Sequence, residues 1–473
     1  MSALELVAAR YKRCADVLRE DIPITNESHI VLFYCRSLCD MQQLNRTLLP
    51  ELQNILENVP SEAFDEEDTP RSFRLGAVDA EDPEATDNAL FGGAVLIGLP
   101  GKDILYLFRA PSIPSRNTEE TNIEVSIRGP RDGFVEAIQT NLGLLRRRLP
   151  TNTVAFDFYR IGTKTKTQVA LIYDTEKINA TTLRLIHERL GELETQIEEL
   201  TTASQAEELL SDQPFSLFPL TIYTGRPDYV SSCVLRGRFA LIIDGVPGAS
   251  VAPANLNMLL QTPEDAHFNY ISASFGRLLR IFSLLVAIFL PGSYIALTGY
   301  HQDQIPYPLL ATIVQTRQGI PLSTPLEMLL VLGLLEMFKE AGYRLPSMAG
   351  QTLTVVGGIV IGDAAIRAGL SSPAMIVVSA ISIVAGSTLV SQTLGGTVSI
   401  LRLIAVLISS ILGMYGFILS VLILVVYLTG LTSFGVSYLA PEAPFMPKDI
   451  VRSFLLFPRT VRGRVPKYLR KKR

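Results

Sequence analysis

Few side chains in this sequence of 473 residues have the spacings that are typical of catalytic, metal-binding or phosphate-binding sites. The four histidines are not spaced as metal ligands, and the sequence contains no HExxH, GxSxG or P-loop motif. The stretch "GGAVLIGLPGK" places glycines before a lysine, but their spacing does not match a P-loop. We therefore predict that the protein is not an enzyme and that it uses neither a metal ion nor a cofactor.

The four cysteines are Cys14, Cys35, Cys39 and Cys233. Cys35 and Cys39 lie close together, but no second pair of Cys or His residues completes a zinc site. The N-terminal residues have no apolar core after their first charges, which argues against a signal peptide. We expect this part of the chain in the cytoplasm, where its thiols stay reduced and are structural.

Three consecutive arginines, Arg146, Arg147 and Arg148, form a cluster of positive charge. They end a segment whose apolar residues share one helical face, namely Phe134, Ile138, Leu142, Leu145 and Leu149. Asp132 lies in a turn before this segment, and we predict it as the N-cap of the helix. The pattern predicts a packed helix with a solvated basic end, where positive charge complements the helix C-terminus.

The same three arginines also suit a contact with a neighbouring subunit or with acidic lipid head groups. A nucleic-acid interface is disfavoured, because the net charge is −4 and no aromatic platform or reading helix accompanies the arginines. Arg146, Arg147 and Arg148 are therefore candidate subunit-interface residues, and we expect no nucleic-acid partner.

The two halves of the sequence differ in hydropathy. Hydrophobic residues make up 48% of the chain and its mean hydropathy is +0.29, both high for a soluble protein. Residues 1–275 carry most of the acidic side chains, whereas the region from about 278 to 430 contains long apolar runs. We predict an α/β cytoplasmic region of two small subdomains, followed by an all-α polytopic membrane domain with interfacial helices.

The first predicted α/β subdomain covers residues 1–150. "HIVLFYC" predicts its first strand, and the nineteen residues from Met41 have helical spacing. The acidic stretch 61–88 predicts a solvated loop with little core. After it, "AVLIGL" and "DILYLFR" predict a β-hairpin.

The second predicted subdomain covers residues 151–275. "VAFDFYRIG" and "TQVALIYD" alternate around a polar turn and predict a hairpin, and "ATTLRLIHERLGELETQIEEL" predicts a helix. Asp244-Gly245 lies between two apolar runs and predicts a second hairpin.

Four segments of the predicted membrane domain, residues 276–435, reach the length of about 17 to 20 residues that suffices to cross a bilayer. They are residues 281–297, 353–370, 374–390 and 403–431. The last exceeds the hydrocarbon core of roughly 30 Å, so we expect it to tilt, protrude or bend near Gly413 and Gly416. Residues 326–340 carry Glu327 and Glu336, and we expect them to be interfacial or re-entrant.

Basic residues predict that both ends of the membrane domain face the cytoplasm. Arg277 and Arg280 precede the first span, and the tail of residues 436–473 is strongly basic. Ends on the same side require an even number of spans, in agreement with a count of four.

The second predicted span is rich in small residues. Gly358 and Gly362 form a GxxxG pair, which allows close contact between helices in lipid. Asp363 and Arg367 lie four positions apart and can pair on one helical face, and charges at this depth normally face protein or water. The segment predicts either a packing interface with an internal ion pair or the lining of a pore.

If the segment lines a pore, Val356, Ile359 or Val360 would form an apolar constriction that gates by dewetting. Four helices leave no room for a pore within one chain, so a pore requires a homo-oligomer. The pore-lining candidates are Val356, Gly358, Ile359, Val360, Gly362, Asp363 and Arg367. Gly358 and Gly362 are also candidates for the contact between subunits.

Several separate motifs, in order within about residues 120–445, resemble the A subunit of the GerA family of spore germination receptors. They are "IRGPRDGFVEAIQTNLGLLRRRL", "RFALIIDGVP", "QTPED", "LPGSYIALTGYHQDQIP", "FKEAGYRLPSMAGQTLTVVGGIVIGDAAIRAGLSSP" and "LTSFGVSYLAP". The chain is also similar to a close A-subunit-like relative that is encoded with spore dipicolinate-channel proteins.

The resemblance implies a multi-pass protein of the spore inner membrane with both termini on the spore-core side. It implies two partners, a permease-like B subunit that senses the nutrient and a lipoprotein C subunit. It further implies that the A subunit oligomerises around an ion path, with residues 357–369 beside it, and that monovalent cations are released when nutrient binds.

Two functions follow from these observations. The first is a nutrient-gated ion channel formed by copies of this chain. The second is a non-conducting scaffold or accessory membrane protein of the germination or dipicolinate-release apparatus. A secondary transporter would have an inverted repeat with two matching broken helices, and the sequence has only one glycine-broken segment.

Overall fold

The structure, a computed structural model, contains two α/β units followed by a bundle of helices. It describes residues 3–25, 28–58, 75–99, 102, 104–112, 128–344, 362–458 and 466–469. The predicted fold class, an α/β N-terminal region followed by a helical region with apolar helices, is confirmed.

The first α/β unit is an antiparallel sheet of five strands with helices on both faces. Its elements are α1 (Ala3–Arg10), β1 (Val17–Thr25), β2 (Ser28–Cys35), α2 (Met41–Gln43, the π-helical Leu44–Leu48 and Leu49–Asn58), β3 (Gly76–Asp79), α3 (Pro83–Phe91), β4 (Ala94–Gly98) and β5 (Ile104–Arg109). The strand order is β1-β2-β4-β5-β3. The predicted strand, helix and hairpin of this unit are confirmed as β2, α2 and β4–β5.

The second α/β unit is built in the same way. Its elements are α4 (Ile138–Arg148), β6 (Val154–Ile161), β7 (Thr167–Asp174), α5 (Ala180–Gln196), α6 (Ala203–Leu210), β8 (Ile222–Thr224), α7 (Pro227–Val234), β9 (Phe239–Ile243), β10 (Ala249–Ala252) and α8 (Leu256–Leu259). The strand order is β6-β7-β9-β10-β8. Both predicted hairpins, β6–β7 and β9–β10, are confirmed.

The two units repeat one topology. Each begins with a helix and a hairpin, continues through helices to an edge strand, and ends with a further helix and a second hairpin. The two strand orders coincide when the strand numbers are shifted by five. The sequence predicted two units but not this repetition, because the repeat lies in the backbone path and not in a periodic motif.

The acidic segment of the first unit differs from the prediction. From residue 75 onward the structure has β3 and α3 there, so the prediction of a solvated loop is wrong for that part. Asp82 accepts hydrogen bonds from the backbone N–H groups of Glu84 and Ala85, and Pro83 lies in the first turn of α3. The acidic residues therefore cap and begin a helix. Residues 61–74 lie outside the described residues.

Strand β1 was not predicted from the sequence. Its residues, "VLREDIPIT", include three charged side chains and a proline, which lowers their resemblance to a buried strand. The strand lies at the edge of the sheet and pairs only with β2 among the described strands. An edge position tolerates these residues because one side of the strand faces no partner.

Helix α4 packs against the sheet of the second unit. All five residues of the predicted apolar stripe are at most 4% exposed, and they share a core with β6 and β7. Asp132 is not the N-cap: that position is Ala137, and the N–H of Ile138 donates to Asp244 Oδ1 at 3.1 Å. The helix begins six residues after the turn, too far for Asp132 to reach it. The subdomain boundary at residue 150 stays a prediction.

The helical region follows the second unit. Its helices are α9 (Tyr270–Ile295, continued by the π-helical Ala296–Tyr300), α10 (Tyr307–Arg317), α11 (Thr324–Arg344), α12 (residues 362–367), α13 (Pro373–Ser387) and α14 (Gln392–Gly430). The chain ends with β11 (Thr432–Ser433), β12 (Val436–Ser437) and α15 (Pro447–Phe454). Short 3-10 turns lie at Pro263–Ala266, Gln302–Gln304 and Lys467–Leu469.

Two stretches of the described chain are long and apolar enough to cross a membrane, Tyr270–Tyr300 and Thr393–Gly430. Pro373–Ser387 is a shorter apolar helix. This assignment rests on length and composition, so the number of crossings stays a prediction.

Helix α14 reverses direction at Gly413, where φ is +59° and ψ is −135°. Thr397 and Tyr427 both reach one residue of the second unit: Thr397 Oγ1 donates to the carbonyl of Leu217 at 2.5 Å, and the Leu217 N–H donates to Tyr427 Oη at 2.9 Å. Thirty residues of straight helix would span about 45 Å. Residues 392–412 and 414–430 are therefore the antiparallel arms of a helical hairpin. The bend predicted near Gly413 is confirmed, and the prediction of one continuous span is wrong.

Helix α11 packs against other helices of the bundle. Met328 and Leu332 are fully buried in a cluster with Ile295 of α9 and Met375 of α13. That residues 326–340 are interfacial or re-entrant stays a prediction. Apolar residues three and four positions apart form a stripe that packs against three helices, and both glutamates have partners within the bundle.

Both ends of the helical region contact the second α/β unit. After α14, Ser433 Oγ donates to the carbonyl of Leu220 at 2.7 Å and accepts the N–H of Ala254 at 3.1 Å. Farther along the chain, Tyr468 Oη lies 3.3 Å from Asn255 Nδ2. The chain therefore leaves and rejoins the bundle on the same side, in agreement with an even number of traversals.

Candidate functional site

Arg146 joins the two α/β units. Its guanidinium forms two bonds to Asp16, from Nε to Oδ2 at 2.7 Å and from Nη2 to Oδ1 at 2.5 Å. It lies 4.4 Å from the ring centroid of Phe91 in the first unit and 4.1 Å from that of Phe156 in the second. The side chain is fully buried, so the predicted solvated end is wrong for Arg146. A residue enclosed in this way is not available to a neighbouring subunit.

Two buried thiols lie beside this ion pair. Burial lowers the pKa of Arg146, and the nearby carboxylate of Asp16 raises it by more, so the guanidinium stays charged. Burial raises the pKa of the Cys14 thiol to about 11. Cys35 Sγ donates to Asp16 Oδ2 at 3.4 Å. All four cysteines are free and buried, as expected for structural residues.

The other two arginines of the cluster lie nearer the surface. Arg147 is exposed, and Arg148 is half-buried and pairs with Asp132. The side chain that was predicted to cap α4 therefore binds the opposite end of the same helix. A subunit contact through Arg147 and Arg148 stays a prediction.

Two adjacent carboxylates of the "QTPED" motif connect the second unit to the bundle. Glu264 pairs with the fully buried Arg226 and accepts the N–H of Arg128 at 3.0 Å. Asp265 accepts from Arg277 Nε at 2.9 Å and from Arg280 Nη2 at 2.7 Å. One carboxylate therefore binds the α/β unit, and its neighbour binds the first turns of α9.

The carboxylates around Arg226 are held in their charged form. Burial alone would raise the pKa of Glu264, but hydrogen bonds from Arg226 and from the backbone of Arg128 lower it below its usual value. Asp228 also contacts Arg226, from Nη2 to Oδ2 at 2.8 Å, and its pKa is lowered despite burial. His267 Nε2 lies 3.4 Å from Asp228. The junction is therefore a charged network whose strength depends on ionised carboxylates.

A proline opens a polar site in the middle of the bundle. Pro291 has no N–H, so the carbonyl of Ala287 lacks its usual helical partner. Arg402 Nε from α14 donates to this carbonyl at 3.0 Å, and Ser382 Oγ from α13 donates to it at 2.9 Å. One carbonyl therefore holds three helices together, through a buried arginine in an apolar region.

Helix α11 supplies the negative charge for that arginine. Glu336 Oε1 lies 3.2 Å from Arg402 Nη1 and accepts from Ser399 Oγ at 2.7 Å. Lys339 Nζ lies 3.6 Å from Glu336 Oε2 and donates to Ser399 at 3.1 Å. The charges are paired within the chain, as is usual for ionisable groups between apolar helices.

A second buried carboxylate lies at the other end of α11. Glu327 Oε1 accepts the N–H and the hydroxyl of Ser372 at 2.6 and 2.7 Å, and the hydroxyl of Ser371 at 3.2 Å. Its Oε2 lies 3.5 Å from Arg317 Nη2. Because Ser372 is the N-cap of α13, this carboxylate fixes the start of that helix.

The predicted pore segment is described only in part. Val356, Gly358, Ile359 and Val360 lie outside the described residues. Gly362, Asp363 and Arg367 lie on α12. The predicted pairing on one face is confirmed, with Arg367 Nε 2.8 Å from Asp363 Oδ2. The roles of these residues in a pore or a subunit contact stay predictions.

The bundle contains residues that the sequence analysis missed. Arg402 is the one charged residue within a long apolar run, and a lone charge in such a run is itself a signal for an internal pair. Pro291 was visible as well, but which helix its free carbonyl would bind depends on tertiary packing. The described residues contain no group of three or more metal-binding side chains. The arrangement connects and orients helices, and it offers no assembled catalytic set.

Comparison with known proteins agrees with the motifs. Residues 5–468 match the family described as Bacillus/Clostridium GerA spore germination protein. The chain is 40% identical to spore germination protein XA of Bacillus anthracis, over 97% of this chain and 91% of that protein. It is 31% identical to spore germination protein KA of Bacillus subtilis (strain 168), over 92% of this chain and 80% of that protein.

A solved structure is also similar. It is the crystal structure of the N-terminal domain of the A subunit of the Bacillus megaterium spore germinant receptor GerK3. The match has a TM-score of 0.38 and 22% identity, and it covers 53% of this chain and 93% of that one. The family match over nearly the whole sequence, together with the relatives, decides the assignment: the chain belongs to the GerA family of spore germination proteins.

Proposed function

We propose that this chain is the membrane subunit of a spore germinant receptor and that copies of it assemble into a nutrient-gated channel for monovalent cations. The observation that carries this proposal is the surface of α12. Asp363 and Arg367 form an ion pair whose side chains are more than half exposed, next to apolar helices. Charges at such a place are stable beside protein or water, not beside lipid.

The small residues of α12 support contact with another copy. Among the described residues, a Cβ atom on Gly362 would meet only Ile376, at an ordinary distance of 3.9 Å. Ala364 and Ala368 are exposed, and only Ala365 of these alanines is buried. Packing against the described part of the chain therefore does not require small residues here, whereas close approach of a second helix does.

The wider assembly is proposed from the family. Relatives are named as spore germination proteins, and one solved relative is named as the A subunit of a spore germinant receptor. We assign this chain to the spore inner membrane as a multi-pass protein with a permease-like B subunit and a lipoprotein C subunit. Both termini lie on one side of the bundle, because the chain leaves and rejoins the same α/β unit, and we assign that side to the spore core from the basic residues before the first span and in the tail.

Disulfide cross-linking tests the contact between copies. All four native cysteines are buried, so an exposed cysteine introduced by Ala364→Cys or Ala368→Cys would dominate the reaction. In oxidised membranes we expect dimers from both variants. Val377→Cys, at an exposed position on α13, is the matched control and should stay monomeric. Dimers from the control alone would contradict a contact through α12.

Ion efflux separates the channel from the alternative, a non-conducting scaffold of the germination or dipicolinate-release apparatus. Val356→Ala or Ile359→Ala should widen an apolar constriction, so liposomes that contain the variant should lose K⁺ without nutrient. Ile381→Ala trims an exposed apolar side chain on α13 and is the control. If liposomes with Val356→Ala and liposomes with Ile359→Ala both retain K⁺, the result favours the scaffold.

A further inference from the structure

A cavity of about 150 Å³ lies where the second α/β unit meets the start of the bundle. Its wall is formed by the end of α7, the start of α9 and helix α15, and Tyr468 closes one side. At about 30 Å³ per water molecule, the space is large enough for a small polar group. The cavity is distinct from the α12 surface and does not depend on ion conduction.

The described lining of this cavity is strongly positive. It contains four arginines, Arg236, Arg238, Arg277 and Arg452, and one carboxylate, Asp449. The carboxylate lies 4.0 Å from Arg452. Arg277 shares Asp265 with Arg280, which leaves that group of charges positive as well. The charge of the described wall is therefore incompletely balanced by the chain.

Arg238 and Arg277 are the buried arginines of the four, and Arg277 is paired with Asp265. Arg238 is 5% exposed, yet no carboxylate of the described residues lies within ion-pair distance of it. Its Nε donates to the carbonyl of Pro253 at 3.1 Å, and its Nη2 donates to Tyr468 Oη at 3.4 Å. These neutral partners orient the guanidinium without neutralising it. A buried charge is normally paired, so an anion is the missing partner.

The surface around the cavity is apolar on the side where α9 begins. Ile271 and Phe275, in the first two turns of α9, are more than 60% exposed. Val451 on α15 and Leu455 just after it are exposed as well. Such a rim suits the boundary between lipid head groups and acyl chains. The anion should therefore belong to a molecule that also has an apolar part.

We propose that this cavity binds the phosphate of an anionic phospholipid. The planar guanidinium groups offer paired N–H donors that match phosphate oxygens. The acyl chains would lie along the exposed apolar face at the start of α9. The site would fix the depth of the bundle in the cytoplasmic leaflet, where basic pockets beside membrane helices select anionic head groups.

Lipid retention by the purified full chain tests the proposal. The protein is transferred from nanodiscs of equal parts phosphatidylglycerol and phosphatidylcholine, and native mass spectrometry counts the lipids that stay bound. We expect one phosphatidylglycerol molecule per chain in preference to phosphatidylcholine. No preference, or loss of all lipid from the wild-type chain, would overturn the proposal.

Charge-removing variants locate the site. Arg236→Gln combined with Arg452→Gln changes two exposed side chains and should weaken retention about 25-fold, at roughly fivefold per arginine. Arg238→Gln should weaken it at least tenfold, as expected for a lost charged hydrogen bond. If Arg238→Gln does not fold, the double variant decides. Arg160→Gln removes one exposed charge from β6, outside the lining of the cavity, and should retain lipid like the wild type; equal losses in all variants would contradict the assignment.

Inorganic phosphate distinguishes the two sources of the same chemistry. Added phosphate at millimolar concentration should not displace the lipid, because it lacks the apolar part. If phosphate raises the thermal midpoint of the wild type but not of the double variant, and no lipid is retained, then the site binds free phosphate and the lipid assignment is wrong.

Discussion

The two α/β units place different residues at one equivalent position. Helix α3 of the first unit begins with Asp82-Pro83, and helix α7 of the second begins with Arg226-Pro227. Asp82 caps its own helix through two backbone N–H groups. Arg226 gives no cap and instead binds Glu264, 38 residues farther along the chain. The same site therefore serves local stability in one unit and attachment to the bundle in the other.

The sheet faces that these helices cover also differ between the two units. In the first unit, α1 and α3 cover one face of the sheet and close a core of their own. In the second unit, the face under α4 and α7 belongs to a core that continues into the bundle through residues such as Leu284, Val398 and Leu428. A repeated fold has thus acquired two roles, because the residues on one face changed while the backbone path stayed the same.

The largest expected effect comes from separating the two units. Arg146→Ala would leave Asp16 buried without a partner and should lower the free energy of unfolding by about 3 to 5 kcal/mol. Thermal unfolding in detergent measures the loss, and Arg147→Ala, an exposed neighbour, should change stability by less than about 0.5 kcal/mol. Equal effects of both variants would mean that the contact between the units does not depend on this ion pair.

A smaller loss is expected at the junction with the bundle, and it should depend on pH. Arg226→Ala should cost about 2 kcal/mol, because charged hydrogen bonds to Glu264 and Asp228 are lost. The pKa values of both carboxylates are lowered in the folded chain, so their contribution is present above the unfolded pKa of about 4 and is lost as pH falls below it.

Hydrogen exchange at the Arg128 amide, which donates to Glu264, reports on this network. Its protection in the wild type should fall on acidification through that range, and Arg226→Ala should move this loss to higher pH, because burial raises the pKa of Glu264 once Arg226 no longer lowers it. A pH profile that is the same in the variant would contradict the role assigned to Arg226.

The turn of the helical hairpin gives the third prediction. A Cβ atom at Gly413 would lie 2.8 Å from Tyr300 Cγ, and the positive φ is unfavourable for alanine. Gly413→Ala should therefore cost about 1 to 3 kcal/mol. Gly395→Ala, at a helical position with open space around it, should be neutral or stabilising. Both midpoints come from thermal unfolding in detergent, and a neutral Gly413→Ala would count against the reversal at this residue.

The smallest effect is expected at the local cap. Asp82→Ala should cost about 1 kcal/mol by removing the N-cap of α3, and Asp82→Asn should cost less, because an amide oxygen still accepts the hydrogen bonds. Protection of amides in α3 by hydrogen exchange measures the change. If Asp82→Ala also lowered the protection of amides in the bundle, the stability of the first unit would be coupled to that of the bundle. The contrast between a local role for Asp82 and an attaching role for Arg226 would then be wrong.

The sequence predicted those parts of the fold that depend on local patterns. Strand alternation predicted the β6–β7 hairpin, turn residues between apolar runs predicted the other two, and the apolar stripe predicted the buried face of α4. It did not predict that Arg146 is buried, because burial of an arginine requires a carboxylate and aromatic rings from a distant segment. The reversal of α14 was predicted only as a bend, since the direction taken after Gly413 depends on contacts with α9 and Leu217.

Some contacts of the candidate sites also follow from local sequence patterns, and others depend on tertiary packing. The pairing of Asp363 with Arg367 follows from helical spacing, and the structure contains it. The binding of Arg402 to the carbonyl freed by Pro291 depends on two helices whose relative position no local pattern encodes. The junction through Glu264 and Asp265 was visible only as a motif, and its chemistry appeared once Arg226, Arg277 and Arg280 were placed around it.

The return of the chain to its starting surface has a mechanical consequence. The first bundle helix and the returning arm of the hairpin are both fastened to the second α/β unit, at Asp265 and at Ser433. A rotation of that unit would therefore move α9 and the second arm of α14 together. Helix α13 is connected to them through the carbonyl of Ala287, and α11 through Arg402, which binds that carbonyl. We therefore expect a rotation of the second α/β unit to be transmitted through these contacts to the opposite end of the bundle.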